Sequence, residues 1–203
     1  MPDQPGSRLG ACRLNQPPIE DYALIGDCRG AALVGRDGAV DWLCWPRFDS
    51  PACFAALLGS ADNGRWRIGP AEPGYRTTRR YRPGTMILET SFDSASGGAA
   101  LIDFMVPSAP TPTLVRIVEG RAGRIALDME LAPRFGYGAV RPEIVARDDG
   151  AAMSAGAEQA VLRTAVALCH DSGAIGATFV LHAQGNRISN FLDAWVRACP
   201  ARR

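Results

Sequence analysis

The sequence contains no lysine: all 22 of its basic residues are arginine. Against 21 acids they leave a net charge of +1, so no overall field draws the chain toward nucleic acid or an anionic membrane surface. The arginine bias, together with abundant Ala, Gly and Pro, reads as the imprint of a GC-rich coding sequence. No run of about 18 apolar residues occurs, and no membrane span is expected. Residues 1–18 are rich in Pro, Gly and Arg and lack an apolar h-region, so a secretory leader is not expected and the cytoplasm is the expected location. Histidine is scarce: only His170 and His182 occur. Neither stands beside Ser or Cys in a nucleophile signature, and Gly-x-Ser-x-Gly is missing. There is no phosphate-cradling glycine loop. The six cysteines at 12, 28, 44, 53, 169 and 199 form no Cys-x-x-Cys pair and fit no zinc spacing. They read as free thiols, several of them buried as small hydrophobes. The pattern assigns no cofactor and no metal.

What is present is an ordinary globular balance, 47% hydrophobic and 21% charged, in a length suited to one domain. The 22 glycines and 15 prolines punctuate the chain as turns do in an all-β protein. Residues 1–17 read as a flexible leader. Strand-like segments follow at 23–25, 31–34, 39–45, 65–68, 75–81, 85–92, 99–106, 113–119, 124–131, 143–147, 151–154, 159–164 and 176–182. Turn signals such as Ser96-Gly97-Gly98, Ala122-Gly123 and Asp148-Asp149-Gly150 separate them. Many short strands with regular turns predict an all-β antiparallel sandwich. Two helices are expected beside it. Ser50-Pro51 has the form of a cap and first turn for a short helix over 52–58. Phe191, Leu192, Trp195, Val196 and Cys199 fall at helical spacing and predict a C-terminal helix over 189–199.

Gly35-Arg36-Asp37-Gly38 between two apolar runs is a hairpin signal, because the turn needs a positive φ that glycine supplies. Strict alternation in the returning strand places Val40, Trp42 and Cys44 on one face and Asp41, Leu43 and Trp45 on the other. The second, mixed face reads as an interface or ligand edge. Arg79, Arg80 and Arg82, interleaved with Tyr81, form the one tight basic cluster. It is read as a charged, guarded strand edge rather than a phosphate contact.

The run Pro18-Ile19-Glu20-Asp21-Tyr22-Ala23-Leu24-Ile25-Gly26-Asp27-Cys28-Arg29 resembles the opening of bacterial family-15 glycoside hydrolases, the glucoamylase- and trehalase-like proteins. The resemblance continues through Ala31 to Gly38, Val40-Asp41-Trp42-Leu43-Cys44, Pro46-Arg47-Phe48-Asp49-Ser50-Pro51 and Gly64-Arg65-Trp66, and remains recognisable to about residue 165. It implies an N-terminal sandwich domain over 18–165, with a divergent strand and helix over 166–203. In that family the sandwich packs on an (α/α)6 barrel carrying the catalytic glutamates. The chain ends at Arg203, so the barrel is expected to be missing, through a truncated or frame-shifted gene or in a short paralogue.

Inverting glycosidases need two carboxyl groups roughly 6.5–9.5 Å apart. Glu20 and Asp21 are adjacent and point apart, while Asp27, Asp41 and Asp49 are read as turn-capping acids or partners of Arg29, Arg36 and Arg47. No catalytic residue is assigned. Trp42, Trp45, Arg47, Phe48 and Asp49 are the candidate interdomain or sugar-contact residues, since flat rings stack on pyranose faces and Arg–Asp pairs grip hydroxyls. The sequence thus predicts a non-catalytic interaction domain. Its partner is a separately encoded catalytic barrel or a second copy. The alternatives are one piece of an active α-glucosidic hydrolase, or a stand-alone carbohydrate-binding module for an α-glucoside.

Overall fold

The computed structural model describes residues 17–171, 173–183 and 191–198, with Asp171 and 191–198 described as backbone only. The described residues form fifteen strands. They are β1 (Ala23–Gly26), β2 (Ala31–Val34), β3 (Ala39–Cys44), β4 (Ala52–Phe54), β5 (Arg65–Pro70), β6 (Arg76–Tyr81), β7 (Leu88–Asp93), β8 (Gly97–Met105), β9 (Thr113–Ala132), β10 (Glu143–Arg147), β11 (Gly150–Ala155), β12 (Glu158–Thr164), β13 (Cys169–Asp171), β14 (Ala174–His182) and β15 (Phe191–Ala198). All pairings are antiparallel. Helix among the described residues is three single 3-10 turns, Ile19–Asp21, Ala56–Leu58 and Ala61–Asn63. The expected all-β antiparallel architecture is present. The leader over 1–17 lies outside the described residues except for its last position.

The long β9 organises the sandwich. Its first part pairs with β8 and β15, and its second part with β5 and β14. One sheet therefore runs β1-β2-β3-β5-β9-β14-β13, with β4 also on β3. The other runs β6-β7-β8-β9-β15-β12-β11-β10. A strand that switches sheets at a bend is how such corners are made. The bend falls at 120–123, where the sequence suggested a turn between two strands. Gly123 there has φ 50°, and a Cβ on it would lie 2.3 Å from the Ser96 carbonyl oxygen. The expected break is thus a corner within one continuous strand.

Side chains from both sheets form one apolar core. Ile25, Ala32 and Leu43 stand in register across β1, β2 and β3, all at 0% exposure. Leu88, Phe92, Leu101 and Leu114 meet them from the other sheet. Arg116 crosses this core. Its Nε donates to Asp103 Oδ1 at 2.8 Å, Nη1 to the Trp66 carbonyl at 2.5 Å and Nη2 to the Gly38 carbonyl at 2.6 Å. Its guanidinium also lies 5.0 Å over the Trp66 ring. Burial raises the Asp103 carboxyl, opposed by the Arg116 charge. A charge buried this deeply is tolerated because it is paired and its donors are aimed at carbonyls.

Both predicted helices are corrected. Residues 52–54 are a strand, with Cys44 paired to Ala52 and Leu43 to Phe54, and only Ala56–Leu58 makes a 3-10 turn. Ser50 does not cap a helix; its hydroxyl accepts from the Arg47 N–H at 3.2 Å. The free edge of β3 gives the segment a ladder, and ladder pairing outweighs local helix preference. The C-terminal segment is likewise strand β15, seated between β9 and β12. Residues 192, 194, 196 and 198 are Leu, Ala, Val and Ala, so the segment carries an alternating pattern as well as a helical one. A slot open on both sides selects the strand. Residues 189, 190 and 199 of the predicted helix lie outside the described residues.

The basic cluster is a guarded edge. Among the described residues β6 pairs only with β7. Tyr81 Oη donates to the Leu24 carbonyl at 2.8 Å and accepts from the Leu24 N–H at 3.0 Å. Arg79 reaches the Val34 carbonyl at 3.0 Å. β6 therefore closes the side of the sandwich against β1 and β2.

Candidate functional site

The hairpin forms as the sequence predicts: Gly38 has φ 79°, and its N–H donates to the Gly35 carbonyl at 3.1 Å. The strand that leaves it does not alternate strictly. Val34 pairs with Val40 while Leu33 pairs with Trp42, so Asp41 is an extra residue facing no partner on β2. Such a β-bulge reverses the facing of everything beyond it. Val40, Leu43 and Trp45 consequently join the main core. Trp42 packs instead with Cys44, Ala52 and Ala55 in a separate small cluster. The reading of Asp41, Leu43 and Trp45 as one interface face is corrected for this reason. Asp41 is buried and accepts from Tyr22 Oη at 2.8 Å. Burial raises its carboxyl above the usual range, Asp37 adds to that, and the Tyr22 hydrogen bond and the Arg65 and Arg116 charges oppose it.

The candidate residues part company here. Trp45 is 8% exposed and lies in the core. Trp42 is half-buried, and its ring centroid stands 6.3 Å from that of Tyr137 at 37°. Phe48 is 62% exposed. Arg47 grips Asp49 with Nε and Nη2, both at 3.0 Å. Both side chains are highly exposed, so the pair contributes little stability. The 45–51 loop is tied to its surroundings through backbone. Phe48 N–H donates to the Arg29 carbonyl at 3.0 Å, and Arg29 Nη2 donates to the Ala109 carbonyl at 2.7 Å. The structure thus gathers the turn at 27–30, the 45–51 loop and the loop at 106–112 at one end of the sandwich.

The acids at and near this end are engaged by the fold. Asp27 Oδ1 accepts from the N–H groups of Arg29 and Gly30 at 3.0 and 2.8 Å, closing its own turn. Asp21 pairs with Arg36 at 2.5 Å, while Glu20 is exposed. His170 and His182 are both exposed, in β13 and at the end of β14. Cys28 and Cys169 are exposed free thiols and Cys44 and Cys53 buried ones. No group of three or more His, Cys, Asp or Glu is placed to hold a metal among the described residues. Among them, too, no helix is long and apolar enough to cross a membrane.

Three residues beside Trp42 escaped the sequence reading. Leu24 pairs with Leu33, and Leu33 with Trp42, so the three stand in one row on the outer face of β1, β2 and β3. Tyr137 continues the row beyond Trp42. It sits in left-handed backbone, φ 59°, between Gly136 at 61° and Gly138 at 97°, and its N–H donates to the Ala52 carbonyl at 3.0 Å. A tyrosine with glycine on either side, and two strands with no polar residue in Ala23–Gly26 or Ala31–Val34, were the signals available. A strand apolar on both faces is one covered on both faces.

Fold and site together define an antiparallel β-sandwich domain with one charge-poor outer face. A family model described as "Trehalase-like, N-terminal" matches residues 12–178, and the chain belongs to that family. It is 34% identical over 140 residues to a trehalase of Mycolicibacterium smegmatis, covering 60% of this chain and 21% of the relative. A trehalase of Mycobacterium tuberculosis is also 34% identical over 140 residues, covering 60% and 20%. Trehalase 1 of Sulfolobus acidocaldarius is 36% identical over 133 residues, covering 65% and 22%. The chain spans about a fifth of the length of these curated relatives, which are archaeal as well as bacterial.

Proposed function

We propose that this chain is a non-catalytic accessory domain of an α-glucosidic hydrolase of the family-15, trehalase- or glucoamylase-like type, contributing surface rather than chemistry. Residues 18–165 are its sandwich unit, and 166–203 the divergent part, from which strands β13, β14 and β15 join the sheets. The observation that carries this reading is where the acids go. Asp27 closes a turn, Asp41 holds Tyr22, Asp49 holds Arg47 and Asp103 holds Arg116. Each of the four is committed to a partner within the fold, whereas cutting a glycosidic bond needs two carboxyls that flank it. The catalytic barrel is supplied by another part of a longer chain or by a separate one, and the exposed end bearing Trp42, Arg47, Phe48 and Asp49 lies toward it. Among the described residues four cysteines are free thiols, which suits a reducing cytoplasm.

The test is glucose release by the purified chain from trehalose, maltose and starch. The expected result is no release above a heat-killed control. Turnover that disappears when a single carboxylate is replaced would overturn the reading.

A further inference from the structure

Strand alternation divides the arginines of β6 between two faces. Arg80 lies on the outer face, paired with Glu89, while Arg79 turns inward and reaches β2. Where β6 meets β1, Arg36, Arg79, Tyr22 and Tyr81 line a cavity of about 260 Å³, with Ala23 and the buried Leu88 as its apolar wall. The fold fixes each of the four polar side chains. Tyr22 Oη donates to Asp41 and Tyr81 Oη to the Leu24 carbonyl, both at 2.8 Å. Arg79 Nη1 donates to the Val34 carbonyl at 3.0 Å, and Arg36 Nε to Asp21 at 2.5 Å. The remaining N–H groups of both guanidiniums have no partner among the described residues.

Charge is out of balance here. Asp21 answers Arg36, and Glu89 answers Arg80 and Arg82. Arg79 pairs with no carboxylate among the described residues. Burial pulls its guanidinium below the usual range, and the like charge of Arg36 adds to this, with Asp21 and Tyr81 opposing. Guarding an edge calls for charge turned to water. It does not account for an arginine turned inward beside a second one.

We propose that this cavity binds a small phosphomonoester, its phosphate between Arg36 and Arg79 and its organic part against Tyr22, Tyr81 and Leu88. The inference stands apart from the accessory-domain reading. A phosphate monoester brings three acceptor oxygens and close to two negative charges. It can therefore take N–H groups from both guanidiniums and answer the unpaired charge and the repulsion together. A carboxylate carries a single charge, and Asp21 already offers one. The organic part is required because much of the lining is ring and aliphatic surface, with which a bare ion makes no useful contact. The volume falls just below the about 300–1,000 Å³ of sites for drug-sized molecules, which suits a small ester. Since the donors are held before any ligand arrives, little ordering is needed on binding.

Isothermal titration calorimetry on the full chain tests the proposal. Glucose 6-phosphate and glycerol 3-phosphate are the probes, with inorganic phosphate and glucose as comparisons. At least one ester should bind, inorganic phosphate should bind more weakly, and glucose should not bind. Arg79→Gln and Arg36→Gln should each weaken the ester by about tenfold or more, the scale of one hydrogen bond to a charged group. Arg147→Gln, at an exposed arginine on β10, should leave it unchanged. Failure of both esters to bind at millimolar concentration overturns the proposal. So does inorganic phosphate binding as tightly as the esters, or an equal loss in Arg147→Gln. If Arg79→Gln does not fold, the parent chain decides by nuclear magnetic resonance. The ester should shift the amide signals of Ala23, Tyr81 and Leu88 and leave that of Arg147 in place. Shifts confined to other residues overturn the assignment.

Discussion

Arg116 on β9 and Asp103 on β8 are cross-strand partners within one sheet, with Nε and Oδ1 2.8 Å apart and both side chains at 0% exposure. The pair decides how the hairpin at 35–38 sits, because the same guanidinium holds the Gly38 carbonyl. Removing one partner of a buried pair leaves the other charged and uncompensated, at a cost of about 3–5 kcal/mol. Asp103→Ala should therefore lower stability by about that much in urea denaturation. A midpoint within error of the parent would show that Asp103 does not hold the Arg116 guanidinium in place.

Gly38 should tolerate no side chain. Its φ is 79°, and a Cβ would lie 2.1 Å from the Ile68 carbonyl oxygen. Gly84 has a similar φ of 71° with open space around it. Gly84→Ala should cost about 1–2 kcal/mol, the backbone penalty alone. Gly38→Ala should cost more, about 3 kcal/mol or above, because crowding adds to it. Equal losses in thermal denaturation would mean that the hairpin does not pack against β5.

Tyr81→Phe keeps the ring and removes the hydroxyl that holds both backbone groups of Leu24. The expected loss is about 0.5–1 kcal/mol for bonds this exposed. Faster hydrogen exchange at the Leu24 amide is the specific readout, since that N–H then faces water. Unchanged exchange would separate β6 from β1.

Glu89 gives the fold an acid limb. It is buried on β7 and paired with Arg80 at 2.7 Å, Arg82 at 3.4 Å and Arg121 at 3.7 Å. Burial alone would raise its carboxyl, but the arginines outweigh it and hold the group below its ordinary value of 4.5. The folded state thus binds this proton less readily than the unfolded one. The stabilisation is complete above pH 4.5 and is lost as pH falls through the depressed folded value. Glu89→Gln should flatten the stability profile below pH 4.5, measured by chemical denaturation across pH. A parent and variant that decline in parallel would contradict the arrangement.

The strands and the Asp37-Gly38 turn were legible because periodicity and glycine chemistry are local. The corner at 120–123 was not, since a turn signal marks a change of direction whether or not pairing continues through it. Residues 52–54 and 191–198 share one reason: each segment is compatible with two structures, and a vacant ladder elsewhere in the chain chooses between them. The candidate site turned on a single bulge. One extra residue at Asp41 moved Trp45 into the core and left Trp42 outside, and no alternation pattern carries that information. The two-sided apolar character of 23–26 and 31–34, by contrast, was written in the sequence.

The central claim is that this domain supplies surface and not chemistry. It is tested most directly by kcat for trehalose in a fusion in which residues 12–178 replace the matched N-terminal region of the Mycolicibacterium smegmatis trehalase, with Asp27, Asp41 and Asp49 each changed to Asn. Folding of each variant is checked by its denaturation midpoint. The account predicts that every variant that folds keeps the parent kcat. A folded variant whose kcat falls by about a thousandfold or more, the scale expected when a catalytic acid or base is removed, would contradict it.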